Sequence, residues 1–465
     1  MINDTTAIPA AEERASAESA QDSPKKAGKR ARQRAPRKAS GHWSPAKRAM
    51  PAIARLRAQE GVRDESLLGV RYARMASSSW AYLRGAAAVM AADLAAAPHS
   101  GLIVQMCGDA HILNFGLWAS PERQLLFDAR DFDETLPGPF EWDLKRLATS
   151  AHVLAAAEKL DRAAGEEAAA AAVGSYIESM RRYAKLGELD IWYDVITADA
   201  ALEYLSSGDA ERAREKIEEE SQKKSHEGSV EKLTTGDDEQ KRITSDPVKR
   251  RRHEAAHSPE NRVWRTAMGT YLDSIPPHLQ RLVSRFSLVD SVRQVVGVGS
   301  VGMRIYLNLM EGESGKQPVF FQMKQATASV YEEFLGPSEF DNHGQRVVAG
   351  QRLMQSASDL FLGWAKGGEF DYYVRQFRDM KVIPEGEHIA GRLPEFAALC
   401  GAALAKSHAR SGEPAAISAY IGKGRAFTRG ILEFARAYAA QTHEDHAELV
   451  AAIAAGAVPA SENPW

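Results

Sequence analysis

The chain predicts an α+β fold in two lobes, a small one around an antiparallel sheet and a larger helical one. Three observations carry this. "MRIYLNLM" and "PVFFQMKQA" read as strands, with "EGESGKQ" as the turn between them. Apolar residues recur at helical spacing on either side of that region, in "RYARMASSSWAYLRGAAAVMAADLAAAP" and in "LPEFAALCGAALAKSHA". A densely charged stretch separates the first helical block from the strands.

Along the chain, residues 1 to 45 read as a disordered basic tail, because "SPKKAGKRARQRAPRKASGHWSPAKR" has almost no large apolar residue. Residues 46–205 form a helical lobe interrupted by two short strands, "GLIVQM" and "QLLFDARDFDE". In its first helical run Met75, Tyr82, Val89, Met90 and Leu94 mark the stripe, and Pro98 and Gly101 end it. Residues 206–260 are expected to be a mobile linker or insertion with one solvated helix. Residues 261–385 make the β-rich lobe, with a helix at "GQRVVAGQRLMQSASDL" and strands at "DLFLGWA" and "FDYYVRQFRDM". Residues 386–465 are helices that complete the helical lobe.

Composition excludes several classes. The 465 residues carry a net charge of −3, so the chain as a whole has no bias toward nucleic acid or an anionic membrane; only the basic tail offers a nonspecific contact of that kind. No run approaches the ~18 apolar residues of a membrane span. Asp4, Glu12, Glu13 and Glu18 argue against a signal peptide. Cys107 and Cys400 make no disulfide framework and fit a reducing cytoplasm.

The chemistry concentrates in three places. "GVGSVG" places Gly297, Gly299 and Gly302 around Ser300. In a dinucleotide fold such a loop opens a helix and an acid follows about 20 residues later. Here Ile305, Leu307 and Leu309 alternate with Tyr306, Asn308 and Met310, which is a strand, and the later residue is Lys324. A glycine loop between antiparallel strands with a lysine on the next one is the phosphate-holding layout of protein kinases. A plain glycine-bearing hairpin shares the pattern.

"CGDAHILNFG" sets Asp109 and Asn114 five apart, the spacing of a kinase catalytic Asp and its metal-binding Asn. "DFDE" then supplies Asp131, with Asp133 on the same side of an extended backbone. These hard oxygen ligands suit Mg²⁺ beside the phosphates of ATP. Asp128, Asp131 and Asp133 repel one another unless a cation joins them, which weighs against a simple polar turn. A two-metal phosphoesterase also begins with Asp-x-His, but it needs further His ligands downstream. The catalytic pair precedes the glycine loop, the reverse of ordinary kinases, and "LCGAALAKSHARSG" near the end reads like the helix that leads into a catalytic loop. A circular permutation of a kinase-like fold reconciles the order.

"RGAAAVMAADLA", "CGDAHILNFG", "DFDETLPGPFEWDLKRLATS", "VGVGSVGMRIY" and "GQRLMQSASDLFLGW" resemble the bacterial domain-of-unknown-function 2252 family from about Arg71 to about His446. Separately, "GDAHILN" and "DFDE…WDLKRLA" are similar to the aminoglycoside and choline kinase branch of kinase-like enzymes. That resemblance implies a catalytic Asp109, metal ligands Asn114 and Asp131 with Asp133 in support, and a structural Asp143. Cys107 stands where those kinases usually have His, and Phe132-Asp133 replaces Phe-Gly. Glu332 is the expected partner of Lys324, with Glu333 and Glu339 as alternatives. His111 is read as fixing its loop, with contact to a substrate phosphate as the alternative; Arg84 as a buried ion-pair member or a phosphate ligand; His408 as helix-end packing; and Arg375, Arg378 and Lys381 as solvated or linker-facing, with a phosphate clamp as the alternative.

The expectation is therefore an ATP- and Mg²⁺-dependent phosphotransferase acting on an unknown hydroxyl acceptor, with a small molecule favoured over protein. A nucleotide-binding pseudokinase or scaffold and a nucleotidyl (AMP) transferase remain alternatives.

Overall fold

The computed structural model describes residues 23–463, apart from 206, 224, 237–240, 252–258, 314–317, 378–379 and 383–384. It is a mixed α+β structure with one larger antiparallel sheet and several two-stranded ones. The larger sheet runs in the order β9 (Gly363–Gly367), β10 (Phe370–Gln376), β8 (Val319–Ala326), β7 (Ile305–Gly312), β6 (Phe286–Gln294), β5 (Arg250–Arg251). Every residue of the central strand β8 is buried, as a strand covered on both faces requires. Its Phe321 and Met323 pack under α7 (Pro259–Asp273), against Trp264 and Tyr271. The opposite face carries Phe320, Gln322 and Lys324, because side chains alternate along a strand.

The helical lobe surrounds α4 (Phe140–Ala157), α5 (Arg162–Tyr183), α9 (Leu393–Ser411) and α11 (Arg425–Ala454). Phe140, Tyr176, Tyr420 and Phe427 stack at its centre. Strand β1 (Ile103–Met106) pairs with β4 (Leu136–Pro139), and β2 (Phe115–Ala119) pairs with β3 (Leu125–Ala129). The end of α9 lies beside β1: the Gln105 amide donates to Ser411 Oγ at 2.9 Å. Helix α8 (His343–Met354) ties the lobes together, its Arg346 donating to the carbonyls of Asp133, Thr135 and Thr327 at 2.6–2.8 Å.

Two expectations about the charged segments change. The basic stretch does not stay disordered to residue 45. From Pro24 to Arg34 it forms α1, which nests against α10 (Pro414–Ile421) through buried Gly28 and Ala31. Arg32 Nε donates to the Tyr420 carbonyl at 3.0 Å and Arg37 to Ile421 at 2.8 Å, satisfying carbonyls that the end of α10 leaves open. The insertion, besides α6 (Ser207–Lys223), contributes Val230, Leu233 and Ile243 to a small core with Leu307, Leu309 and Phe320. Few apolar residues suffice because the sheet supplies the rest. Among the described residues no helix is long and apolar enough to cross a membrane.

Candidate functional site

The loop after β1 is pinned by the first turn of α4. Asp143 accepts the amides of Cys107 and Gly108 at 2.7 and 3.0 Å and contacts His408 Nε2 at 3.2 Å. Tyr331 donates its hydroxyl to the Gly108 carbonyl at 2.6 Å. Gly108 turns the chain at φ +83°, and a Cβ there would run into the Glu134 backbone, so only glycine serves. His408 is fully buried between Asp143 and Tyr176 and fastens this arrangement.

Asp109 leaves the loop toward Arg146, one turn along α4, whose Nε donates to Oδ1 at 2.7 Å. Burial pushes the Asp109 carboxyl above its ordinary range, with Asp131 adding to this against the pull of Arg146 and Arg84. Asn114 donates Nδ2 to the Asp109 carbonyl at 2.6 Å. Its own carbonyl accepts the Arg130 amide at 3.0 Å. Because β2 and β3 pair Phe115 with Ala129, the hairpin returns Asp131 beside Asn114.

Asp128, Asp131 and Asp133 do not form one cluster. Asp128 is fully buried and pairs with Lys406 of α9 and with Ser356. Asp131 is held below the usual carboxylate range: burial opposes this, and Lys324, Arg375 and Arg130 overcome it. Asp133 pairs with Lys324 and accepts the Tyr373 hydroxyl at 2.9 Å. Burial opposes the charged form of Lys324, yet Asp133, Tyr373 and Asp131 raise it above the ordinary value. Glu332 is not its partner. It accepts the Ser329 amide at 2.8 Å and lies 3.6 Å from Arg346 Nε. The α8 position facing this region carries that arginine rather than an acid.

The glycine loop lies on the helical lobe. Arg63 donates to the carbonyls of Gly299 and Val301 at 2.8 and 2.6 Å. Arg74 of α2 (Leu68–Ala76) donates to Gly297 at 2.9 Å, and the Asp64 amide to Gly302 at 2.8 Å. Val301 is buried against Leu67, Val70 and Val295. Gly297 and Gly302 take φ of +70° and +88°, the left-handed values that such a loop needs.

One cavity of about 110 Å³ receives Asp109, Asn114, Asp131, Asp133, Gly297, Gly299 and Ser300, together with Gln59, Arg63, Arg84, His111 and Glu134. Gly302 turns away, and Lys324 is joined to the cavity through Asp133. A larger cavity of about 300 Å³ continues past Ser300 toward Arg55, Thr327 and Glu333 and includes Glu332. In the smaller one, three buried atoms have no hydrogen-bond partner: Arg63 Nε, Arg84 Nε and His111 Nδ1. Arg84, on α3 (Ser79–Gly85), forms no ion pair among the described residues, which removes the first of its two readings; burial lowers its pKa while Asp109 and Asp131 support the charge. His111 packs edge-on against Trp80, and burial with the neighbouring arginines keeps it neutral.

The profile of a protein family described as "Uncharacterized protein conserved in bacteria (DUF2252)" matches residues 63–452. The chain belongs to this family. No curated protein and no solved structure matches it. The DUF2252 match begins at Arg63, the residue that grips the glycine loop, and runs into α11.

In this DUF2252 protein, several residues around the cavity were not singled out from sequence. Arg146 had a signal, since it follows Asp143 by one helical turn in "WDLKRLA". Arg63, Gln59 and Glu134 had none. Arg375 is not solvated: it donates to Gln322 at 3.0 Å and supports Asp131. Lys381 is likewise enclosed, burial and Arg375 pushing its pKa down. Arg378 lies outside the described residues. Among the described residues Asn114 keeps its Oδ1 free while Nδ2 is engaged, and the Asp131 carboxylate accepts only a long contact of 3.4 Å from the Asp133 amide. An amide oxygen and an ionised carboxylate facing one cavity fit the oxygen-only preference of Mg²⁺, which keeps water and phosphate as its other ligands.

Proposed function

We propose that the protein is an ATP-dependent phosphotransferase of kinase-like, circularly permuted fold. The observation that carries this is the shared cavity. Gly297–Ser300 and the Asp109/Asn114/Asp131 group are more than 160 residues apart in sequence, yet line the same space. The cavity mixes carboxylates with the Nε atoms of Arg63 and Arg84, which have no hydrogen-bond partner among the described residues, and this suits a bound cation together with phosphate oxygens. The contact of Ser411 with Gln105 supports the permutation, since it lays the end of α9 beside the strand that feeds the Asp109 loop.

In this reading Asn114 and Asp131 hold Mg²⁺, which would neutralise phosphate charge. Gly297 to Ser300 cradle the phosphates with backbone amides. Arg84 offers its free guanidinium edge to the phosphoryl group in flight. Asp109 takes the proton of the acceptor hydroxyl, its raised pKa suiting a base. The γ-phosphorus bond to ADP breaks as the bond to the acceptor oxygen forms. A small-molecule acceptor is favoured by analogy of the Asp109 loop alone.

Nucleotidyl transfer is the second reading, favoured by the 300 Å³ cavity, which opens toward Thr327 and Glu333 rather than toward β10. A base seated there would reverse the nucleotide along the loop. The test is Mg²⁺-dependent ATP binding and turnover by purified protein against Asp131→Ala. Product mass distinguishes phosphate from AMP, and absence of Mg²⁺-dependent binding removes both. Binding that survives Asp109→Ala, with no product from the wild type either, would assign a pseudokinase.

A further inference from the structure

Away from that cavity, a second concave surface lies between the end of α1 with the residues that follow it and the start of α11. It encloses about 780 Å³ and is lined by Arg32, Arg37, Lys38, Lys423, Arg425 and Arg429, with Gly422, Gly424 and Ala426 between them. Six cations and no carboxylate line it. In a chain of net charge −3, composition does not account for such a concentration.

Arg32 and Arg37 have a structural role, since they cap the last carbonyls of α10. The other four do not. Lys38, Lys423, Arg425 and Arg429 are exposed and have no partner among the described residues. The local electrostatics are also unfavourable. Helix α11 is 30 residues long and begins at Arg425; its cap, Gly424, offers no side-chain hydrogen bond, and its first turn holds no acid. The N-terminal end of a helix is positive and favours acids. Here the chain places Arg425 at that end and Arg429 one turn on, a like-charge pair at a repelling spacing. Burial and the adjacent Arg37 both push down the pKa of Arg32. Fold stability alone would select the opposite charges, so the arrangement points to an anion that compensates them.

We propose that this cavity binds a chain of consecutive phosphates, with inorganic polyphosphate as the ligand it fits. The lining has no aromatic ring on which a base could stack, and no amide or carboxylate to read a base edge. Its cations stand on two sides, Arg32–Lys38 and Lys423–Arg429, and embrace a thin strand of charge. The free amides in the first turn of α11 add donors to the same ligand.

The test uses the full chain and a labelled short-chain inorganic polyphosphate, followed by fluorescence anisotropy at several salt concentrations. Wild type is expected to bind with an affinity that falls steeply with salt, as counterion release requires. The triple variant Lys423→Glu/Arg425→Glu/Arg429→Glu is expected to bind at least ~10-fold more weakly and with a flatter salt dependence. Asp131→Ala is expected to bind like wild type, because the two cavities are separate. Should the triple variant melt at a lower temperature, Lys423→Gln/Arg429→Gln, which alters only exposed groups, is expected to give a smaller loss in the same direction. Three results would overturn the proposal: no binding by wild type at low salt, unchanged binding by both variants, or tighter binding of a single-stranded RNA with the same number of phosphates. The last would reassign the surface to nucleic acid.

Discussion

The stretch from Asp128 to Asp133 sends a carboxylate to each of two lysines. Asp128 meets Lys406 where neither side chain has any exposed surface. Asp133 meets Lys324 at the cavity rim, where the carboxylate is 31% exposed. The sealed pair is saturated by its neighbours: Ser356 donates its amide to Asp128 at 2.9 Å, and Ser407 contacts the same carboxylate. Burial still pushes the Lys406 ammonium below its ordinary pKa. Under the proposed function, an incoming phosphate would compete with Asp133 for Lys324. Identical chemistry fixes the position of α9 in one place and, in that proposal, serves a ligand in the other.

The largest expected effect comes from breaking the sealed pair. Lys406→Ala leaves Asp128 buried and uncompensated, and should cost about 3–5 kcal/mol, read as a fall in the denaturation midpoint. The double change Lys406→Met/Asp128→Leu should recover much of that loss. A single-variant cost below ~1 kcal/mol would remove the distinction between the two pairs. At the open pair, Lys324→Met should weaken nucleotide binding about 100-fold, or about 2.7 kcal/mol, and move the melting temperature less than Lys406→Ala does. Isothermal titration with ATP and Mg²⁺ checks this; the reverse ranking would make Lys324 a structural residue.

The smallest effect sharpens the comparison with a lysine that has no ion-paired carboxylate among the described residues. Lys145 is buried with its ammonium 4.5 Å from the Phe434 ring, and burial lowers its pKa from 10.5 to about 8 despite Glu141. Between those values the unfolded chain holds a proton that the folded chain has released. Stability from this group therefore rises as pH increases from about 8 to 10.5. Lys145→Met should abolish that rise and add about 1–2 kcal/mol at neutral pH, measured by denaturation at pH 7, 9 and 10. A wild-type midpoint that falls across this window, with the variant falling in parallel, would show that Lys145 keeps its charge on folding.

Much of the site was legible because its signals are local. The five-residue interval between Asp109 and Asn114, the Asp131 that follows a hairpin, and the strand after Gly302 depend only on neighbours in sequence. Lys324 was legible as a cation on a strand, but its partner was not. Glu332 fits by proximity in sequence, yet the turn from Ser329 directs it to backbone amides and Arg346, and Asp133 arrives from the other lobe. The like-charge argument for Asp128, Asp131 and Asp133 assumed a shared environment. The β2–β3 hairpin separates them, because Asp128 lies within β3 and the other two lie beyond its end.

By itself, then, the sequence determined the element types, the glycine turn, the acid and amide spacings and the family, all of which rest on periods and intervals of a few residues. Tertiary structure alone decided which lysine each aspartate meets, that Arg63 and Arg74 fasten the glycine loop to the helical lobe, that Arg84 has no ion pair among the described residues, and that the basic segment up to Lys38 faces Lys423–Arg429. Those outcomes depend on packing between residues as much as 388 positions apart, and no local preference encodes which buried charge a distant helix will bring within reach.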